Sequence, residues 1–395
     1  MRSCADYPRV AFLPDTFHEV NGVAHTSRQL EAFVRRRNIP FLSVHTGPAT
    51  QLTTNGSVTT LELARGPASF ELDANLDYDP FLLRHAGRVQ AALQDFKPDL
   101  IHVTGPGDMG TMGSYLSIIL RLPIVISWHT SLHEYAGRRL ERLTEFLGTG
   151  PSHTLGSVAE GVSLQILRAF YWQAELIMAP NQELMDLTRR LTGKPVHLMR
   201  RGVETNLFTP AKRTRTARTF RIGYVGRLTP EKNVRFLSDI GKGLIERGLT
   251  NLEFVIVGEG SEHDWLKSNV PNANLTGVLR GESLAQAYAD MDLFAFPSTT
   301  DTFGNVILEA LASGVPCVVT NAGGPKFLIH QDTTGHIATS NADFIDFAAR
   351  IYQSPAQRAT MSIAARDYAL KQSWDSVFEE VFAAYATCTQ QPQAA

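Results

Sequence analysis

The chain has 395 residues, 43% hydrophobic and 19% charged, a globular composition that excludes a disordered chain and is too long for one ordinary core, so two domains are expected. Its 37 basic and 39 acidic side chains leave a net charge of -2, which implies no bulk attraction to nucleic acid; any anion must be met locally. Cys4, Cys317 and Cys388 are scattered without zinc-site or redox spacing, and "MRSCADYPRVAFLP" has no apolar stretch of signal-peptide length. No window approaches the ~20 apolar residues of a spanning helix. The expectation is a protein of the reducing cytoplasm.

In chain order, strands are predicted at Arg9 to Leu13, Phe41 to Val44, Asp99 to Val103, Ile124 to Trp128 and Leu176 to Ala179, with helices such as "VAHTSRQLEAFVRRR" and "FLLRHAGRVQAALQDF" between them. Two tempting motifs fall in this half. "DYD", residues 77 to 79, matches an Asp-x-Asp metal pattern but lies in a polar stretch with no strand before it. "GPGDMG", residues 105 to 110, either approaches a ligand or forms a rim loop. The polar segment "FTPAKRTRTARTF", residues 208 to 220, marks a break, read as a solvated connector in preference to a phosphate or lipid site. The pattern then restarts with "FRIGYVG", "EFVIVG", "DLFAFP" and "PCVVT". At the end, "SWDSVFEEVFAAYA" carries the apolar stripe of a core-packing helix.

Strands alternating with helices predict an α/β chain of two doubly wound domains. Open parallel sheets bind ligands beyond the C-terminal ends of their strands, so two such domains facing one another would make a cleft, with its chemistry just after strands. "YVGRLTPEKN" places Arg227 and Lys232 there, five residues apart. A guanidinium fork and an ammonium on one loop suit a diphosphate, the alternative being two surface cations; GxxxxGK[ST] is absent, so this is no P-loop. "PSTTDTFGNVILEALASG" ends a strand, turns, and opens a helix. Its N–H groups at Phe303, Gly304, Asn305 and Val306 are an expected anion site. Asp301 would accept from sugar hydroxyls or else cap the helix; Glu309 would meet a ribose diol or else lie on a solvated face.

These motifs, with "NGVAHTSRQL", "SWHTSLHEY" and "RGVETNLFTP", resemble family 4 of the retaining glycosyltransferases over nearly the whole chain. The resemblance implies the GT-B architecture: a Rossmann-like acceptor domain at 1–205, a nucleotide-sugar domain at 206–372, and a helix and tail at 373–395 crossing back onto the first domain. It implies that Arg227 and Lys232 grip the donor diphosphate, Glu309 the nucleotide ribose and Asp301 the transferred sugar, at a position where much of the family has Glu. Gly22 would let backbone N–H groups meet the diphosphate, and one glycine in "PDTFHEVNGV" does not make the dinucleotide fingerprint. His129 would sit at the reaction centre, with His133, Glu134 and Tyr135 shaping the acceptor site. Lys326 and Phe327 depart from the family pattern, where an acid often follows the paired glycines; Gly323 and Gly324 are read as a turn at a strand end.

The implied activity is transfer of a hexose, with mannose from GDP-mannose the first choice, from a nucleoside-diphosphate sugar to a lipid or glycan hydroxyl. No cofactor or metal is required on this reading, and no His and carboxylate cluster is visible in the sequence. UDP-hexose transfer, a nucleotide-sugar epimerase of the same fold and a non-catalytic binder are the alternatives. The segment 132 to 172, with Arg138, Arg139, Arg142, Leu164, Ile166, Leu167, Arg168, Phe170, Tyr171 and Trp172, is read as helices packed on the first domain, with peripheral contact to anionic lipid at the inner face of the membrane as the alternative.

Overall fold

A computed structural model of the chain describes residues 7–19, 21–73, 76–128, 161, 164–216, 219–301 and 303–389. Its strands are β1 (Val10–Leu13), β2 (Phe41–Gly47), β3 (Gln51–Asn55), β4 (Val58–Ala64), β5 (Phe70–Asp73), β6 (Leu76–Tyr78), β7 (Leu100–Val103), β8 (Ile124–Ser127), β9 (Leu176–Ala179) and β10 (Val196–Leu198). They are followed by β11 (Phe220–Val225), β12 (Leu252–Val257), β13 (Ala273–Gly277), β14 (Leu293–Phe296), β15 (Cys317–Thr320) and β16 (Gly335–Ala338). Two units form, one from residues 1–200 with 378–395 and one from 201–377. The divisions fall after Arg200 and after Val377, where the sequence reading put them after 205 and 372.

The first unit holds an eight-stranded sheet in the order β10-β9-β8-β7-β1-β2-β4-β3, and the second a six-stranded sheet in the order β13-β12-β11-β14-β15-β16. All neighbours pair in parallel except β3, which runs antiparallel to β4. The central strands are the apolar runs read from the sequence; β1, β7, β8 and β9 are buried along their whole length. Strands β3, β4, β10, β13 and β16 escaped that reading. β3 is exposed throughout and β13 is polar and half-covered, so neither edge strand needs an apolar face.

Local signals start the helices. Asn21 accepts from the Ala24 N–H at 2.9 Å and opens helix Gly22–Arg36; Asn181 does the same for Leu184 and helix Gln182–Thr192. Asp79 of "DYD" follows a strand after all, the β5–β6 hairpin, and accepts from the Gly66 and Phe81 N–H groups and from Arg84. Its carboxylate is occupied in holding a turn. The connector is likewise no solvated tether: Arg213 and Arg215 pair with Asp292 at 2.7 and 3.1 Å, and the Thr214 N–H donates to Asp290. Leu167 and Tyr171 join the core of the first unit, while Ile166 and Trp172 are exposed; residues 132–160 lie outside those described.

Helix Trp374–Thr389 belongs to the first unit from Phe378 onward. Phe378 packs against Phe33, Phe382 meets Tyr7 edge-on at 5.4 Å, and the Tyr385 hydroxyl lies 2.6 Å from His102 Nδ1, whose Nε2 is 2.6 Å from Ser127 Oγ. Burial holds His102 neutral, lowering its pKa to about 3. An unfolded histidine titrates near 6.5, so between those two values the unfolded chain binds the extra proton. Stability from His102 is therefore complete above about pH 6.5 and is lost as pH falls toward 3. Urea unfolding followed across that window should show a shallower acid-side loss in His102→Asn than in the parent chain; parallel curves would mean that His102 titrates normally in the fold.

Candidate functional site

Each sheet has a point where the strand order reverses and the loops after two neighbouring strands diverge, which in open α/β sheets leaves a crevice for ligand. In the second sheet that point lies between β11 and β14. The loop after β11 carries Arg227 and Lys232, and the loop after β14 carries Asp301.

Lys232 sits on a single tight turn, Pro230–Lys232, ended by Asn233 at φ +54°. Its Nζ is 2.7 Å from Asp301 Oδ1, with 15% and 21% of the two side chains exposed. Two further bonds join the loops: Asn233 Nδ2 to the Pro297 carbonyl at 3.3 Å, and Thr300 Oγ1 to the Glu231 carbonyl at 3.2 Å. Asp301 Oδ2 is buried and has no hydrogen-bond partner among the described residues. A buried carboxylate oxygen left so is an acceptor prepared for a donor. Arg227 differs from Lys232: it is half-exposed and 3.6 Å from Glu231.

Asp301 does not cap the following helix. Helix Asn305–Ala312 is entered through Gly304 at φ +89°, with no side-chain acceptor. Phe303 is buried beside it, and the Ile307 N–H already bonds to the Gly304 carbonyl. Gly323 and Gly324 do more than turn the chain. The Gly324 N–H donates to the Asp301 carbonyl at 2.6 Å, and a Cβ on Gly323 (φ +68°) would stand 2.6 Å from that oxygen.

Glu309, expected to meet a diol or else lie on a solvated face, is half-buried on helix Asn305–Ala312, so the solvated-face alternative does not hold. Its Oε2 accepts from the Tyr288 hydroxyl at 2.8 Å. Although the residue keeps partial access to solvent, its carboxyl is packed among protein groups. Desolvation, with the Glu204 charge adding, outweighs the Tyr288 bond and raises its pKa to about 7. Arg366 donates to the carbonyls of Thr205, Phe208 and Ala312, tying the segment that carries Glu204 to the end of this helix.

Sequence reading missed Tyr288 and the loop after β12. In "VGEGSE" the Glu259 carbonyl accepts from the Leu228 N–H at 2.8 Å, and a Cβ on Gly258 would lie 1.9 Å from the Gly226 carbonyl. The paired glycines of that run were the available signal.

In the first unit the reversal lies between β1 and β7. Gly22 opens its helix and is exposed. Asp15, after β1, accepts from the Gly110 N–H at 3.0 Å, so "GPGDMG" closes on a buried carboxyl whose pKa burial raises to about 7. His129, His133, Glu134 and Tyr135 lie outside the described residues. The sequence suggested no His and carboxylate cluster for a catalytic metal; the fold brings His18, His45 and Glu62 close together in the first unit.

Residues 219–354 match the family model described as glycosyl transferases group 1, and residues 18–207 the one described as glycosyltransferase family 4. A GDP-mannose-dependent alpha-mannosyltransferase of Mycolicibacterium smegmatis is 31% identical over 305 residues, covering 75% of this chain and 76% of that protein. Among solved structures, sucrose-phosphate synthase from Thermosynechococcus elongatus superposes with a TM-score of 0.73 at 16% identity, over 96% of this chain and 98% of that one. Anabaena HepE in complex with UDP-glucose gives 0.69 at 17%, over 96% and 100%.

Gly258→Ala should push the β12 loop off the Gly226 carbonyl and with it the loop that carries Lys232. Overpacking of this kind costs about 1–3 kcal/mol, so a clear drop in unfolding temperature is expected in a thermal melt, and an unchanged melt would refute the close packing.

Proposed function

The chain belongs to the group 1, family 4 glycosyltransferases and has the GT-B fold, and from that premise we propose that it transfers a hexose, mannose from GDP-mannose first, with retention, to a lipid or glycan hydroxyl. The observation that carries this reading is the Lys232–Asp301 pair at the strand-order reversal, with its second carboxylate oxygen buried and unpartnered among the described residues. A diphosphate entering there would meet the Lys232 ammonium and the half-exposed Arg227 guanidinium. Both stabilise the leaving group as negative charge develops on it. The first turn of helix Asn305–Ala312 faces the same loops with its N-terminal end of the dipole.

Asp301 Oδ2 is the acceptor for a hydroxyl of the transferred sugar, and Glu309 for the ribose. The acceptor hydroxyl attacks on the face the diphosphate leaves, a phosphate oxygen takes its proton, and no enzymic nucleophile or metal takes part. On this reading Gly22 would offer backbone N–H groups to a phosphate, and His129, His133, Glu134 and Tyr135 keep the roles that the family resemblance implies. The mannosyl donor rests on the 31% identical relative; a UDP-hexose is the competing donor.

Thermal unfolding with GDP, UDP, ADP, GDP-mannose and UDP-glucose tests the reading, because a ligand of the folded state alone adds about 2.7 kcal/mol at a hundred times its Kd. A shift with the guanine pair and without added magnesium is expected; a shift with the uridine pair alone would replace the donor, and none at all would overturn the site. Lys232→Ala should lower the transfer rate about a hundredfold or more while the protein stays folded.

Binding should also titrate. Ribose hydroxyls favour the ionised form of Glu309, whose pKa is about 7 without ligand, so affinity should rise with pH up to that value and level off above it. Below it, affinity falls by up to about tenfold per unit. Isothermal titration at several pH values should find this dependence in the parent chain and a flat profile in Glu309→Gln.

A further inference from the structure

A second cluster lies in the first unit, apart from the residues given to sugar transfer. His45 on β2 and Glu62 on β4 are register partners in a parallel pair, so their side chains stand side by side on one face of the sheet. His18, in the loop after β1, reaches the same place: its Nε2 is 3.3 Å from Glu62 Oε1, and one donor atom from each of the three residues lies within 4.8 Å of the others. His45 is buried and Glu62 largely covered, while His18 is half-exposed.

The surroundings hold these groups in the form a metal requires. His45 Nδ1 is 3.1 Å from the Thr46 carbonyl. A carbonyl only accepts, so Nδ1 carries the proton and the ring lone pair is on Nε2. Such a bond on the far nitrogen is the usual outer support of a ligating imidazole. Gln51 donates to Glu62 Oε2 at 2.5 Å, which leaves Oε1 as the atom beside His18. The Phe17 ring stacks on His45 at 4.0 Å and meets His18 edge-on at 5.3 Å, closing one side with an apolar wall. Two bonds of 2.0–2.1 Å at a tetrahedral ion separate their donor atoms by about 3.3 Å. The His18–Glu62 distance already has that value, which is long for a hydrogen bond between these groups.

We propose that His18, His45 and Glu62 bind one divalent transition-metal ion of the zinc class. Two imidazoles and one carboxylate suit zinc over magnesium or calcium, which want mostly oxygen donors. Three protein ligands leave the fourth position to water or to an oxygen of a bound molecule. The ion ties the loop after β1 to β2 and β4, and that loop runs through the Asn21 cap into helix Gly22–Arg36. Its role is to position this loop; the proposed sugar transfer neither supplies nor requires it.

The test is calorimetric titration of the full, untagged chain, stripped with a chelator, with Zn²⁺ alone, and with Co²⁺ as a spectroscopic probe. A one-to-one complex with the absorption of four-coordinate cobalt is expected, together with a rise in unfolding temperature on adding Zn²⁺. His18→Ala changes a half-exposed side chain and Glu62→Gln keeps the shape; each should weaken Zn²⁺ binding by at least about tenfold. Metal-free melts matching the parent chain would show that both variants fold. No binding by the parent chain, or binding that survives both substitutions, would overturn the proposal and leave the cluster a hydrogen-bonded pair beside a stacked ring. Neither variant changes Lys232, Asp301, Glu309 or Gly22, so nucleotide-induced stabilisation measured without added metal should persist in both, and its absence in the metal-free parent chain would count against the transfer reading alone.

Discussion

The ion pair between Lys232 and Asp301 is the contact on which the chemistry proposed for the second unit depends. It joins the loops of two strands that are neighbours in the sheet but run to loops diverging in opposite directions. Because both side chains are largely covered, the attraction is screened less than on an open surface. The pair holds each charge in place and occupies only one oxygen of the carboxylate. On the proposed reading a diphosphate would compete with Asp301 for the ammonium, and a sugar hydroxyl would take the oxygen that the pair leaves over. The backbone below is equally fixed, with Gly324 donating to the Asp301 carbonyl and Gly258 pressed on Gly226.

Glu309 shows the cost of such a site to the fold. A carboxyl whose pKa is raised from 4.5 to about 7 is held in the protonated form by its surroundings. Its contribution to stability is complete below the unfolded value and is lost as pH rises through about 7. Tyr288 softens this by donating to the ionised form, while Glu204 works against it. A residue serving only the core would be apolar there, as its neighbours Leu308 and Ala310 are. The proposed ribose contact would account for the retained carboxylate, because a ligand hydroxyl would donate to it.

In the first unit, charge and hydrogen bonding organise the ends of β1 and β7. Asp15 packs half-buried against the turn that leads into helix Asp108–Leu120, and Asp108 pairs with Arg65 at 2.5 Å. His102 on β7 links Ser127 on β8 to Tyr385 of the last helix, so that helix is registered on the sheet by a directional bond as well as by its aromatic stripe. Among the described residues no helix is long and apolar enough to cross a membrane.

The sequence by itself determined the class of fold, the core strands, the loops that carry Arg227, Lys232 and Asp301, and the helix that carries Glu309. Those features are local: a run of four to six apolar residues or a polar turn after it reads the same wherever it is packed. Its motifs also determined the family. Edge strands such as β3 and β13 were illegible because a polar strand is stabilised by its neighbour's backbone and by no pattern of its own. Tertiary structure alone decided that Lys232 meets Asp301 across 69 residues of chain, that Tyr288 finds Glu309, and that His18, His45 and Glu62 converge. It also decided that Arg213 and Arg215 are anchors and not a solvated tether. Each of these is a pairing between distant positions, fixed by strand order and register, and one residue's type does not reveal which partner the sheet will bring beside it.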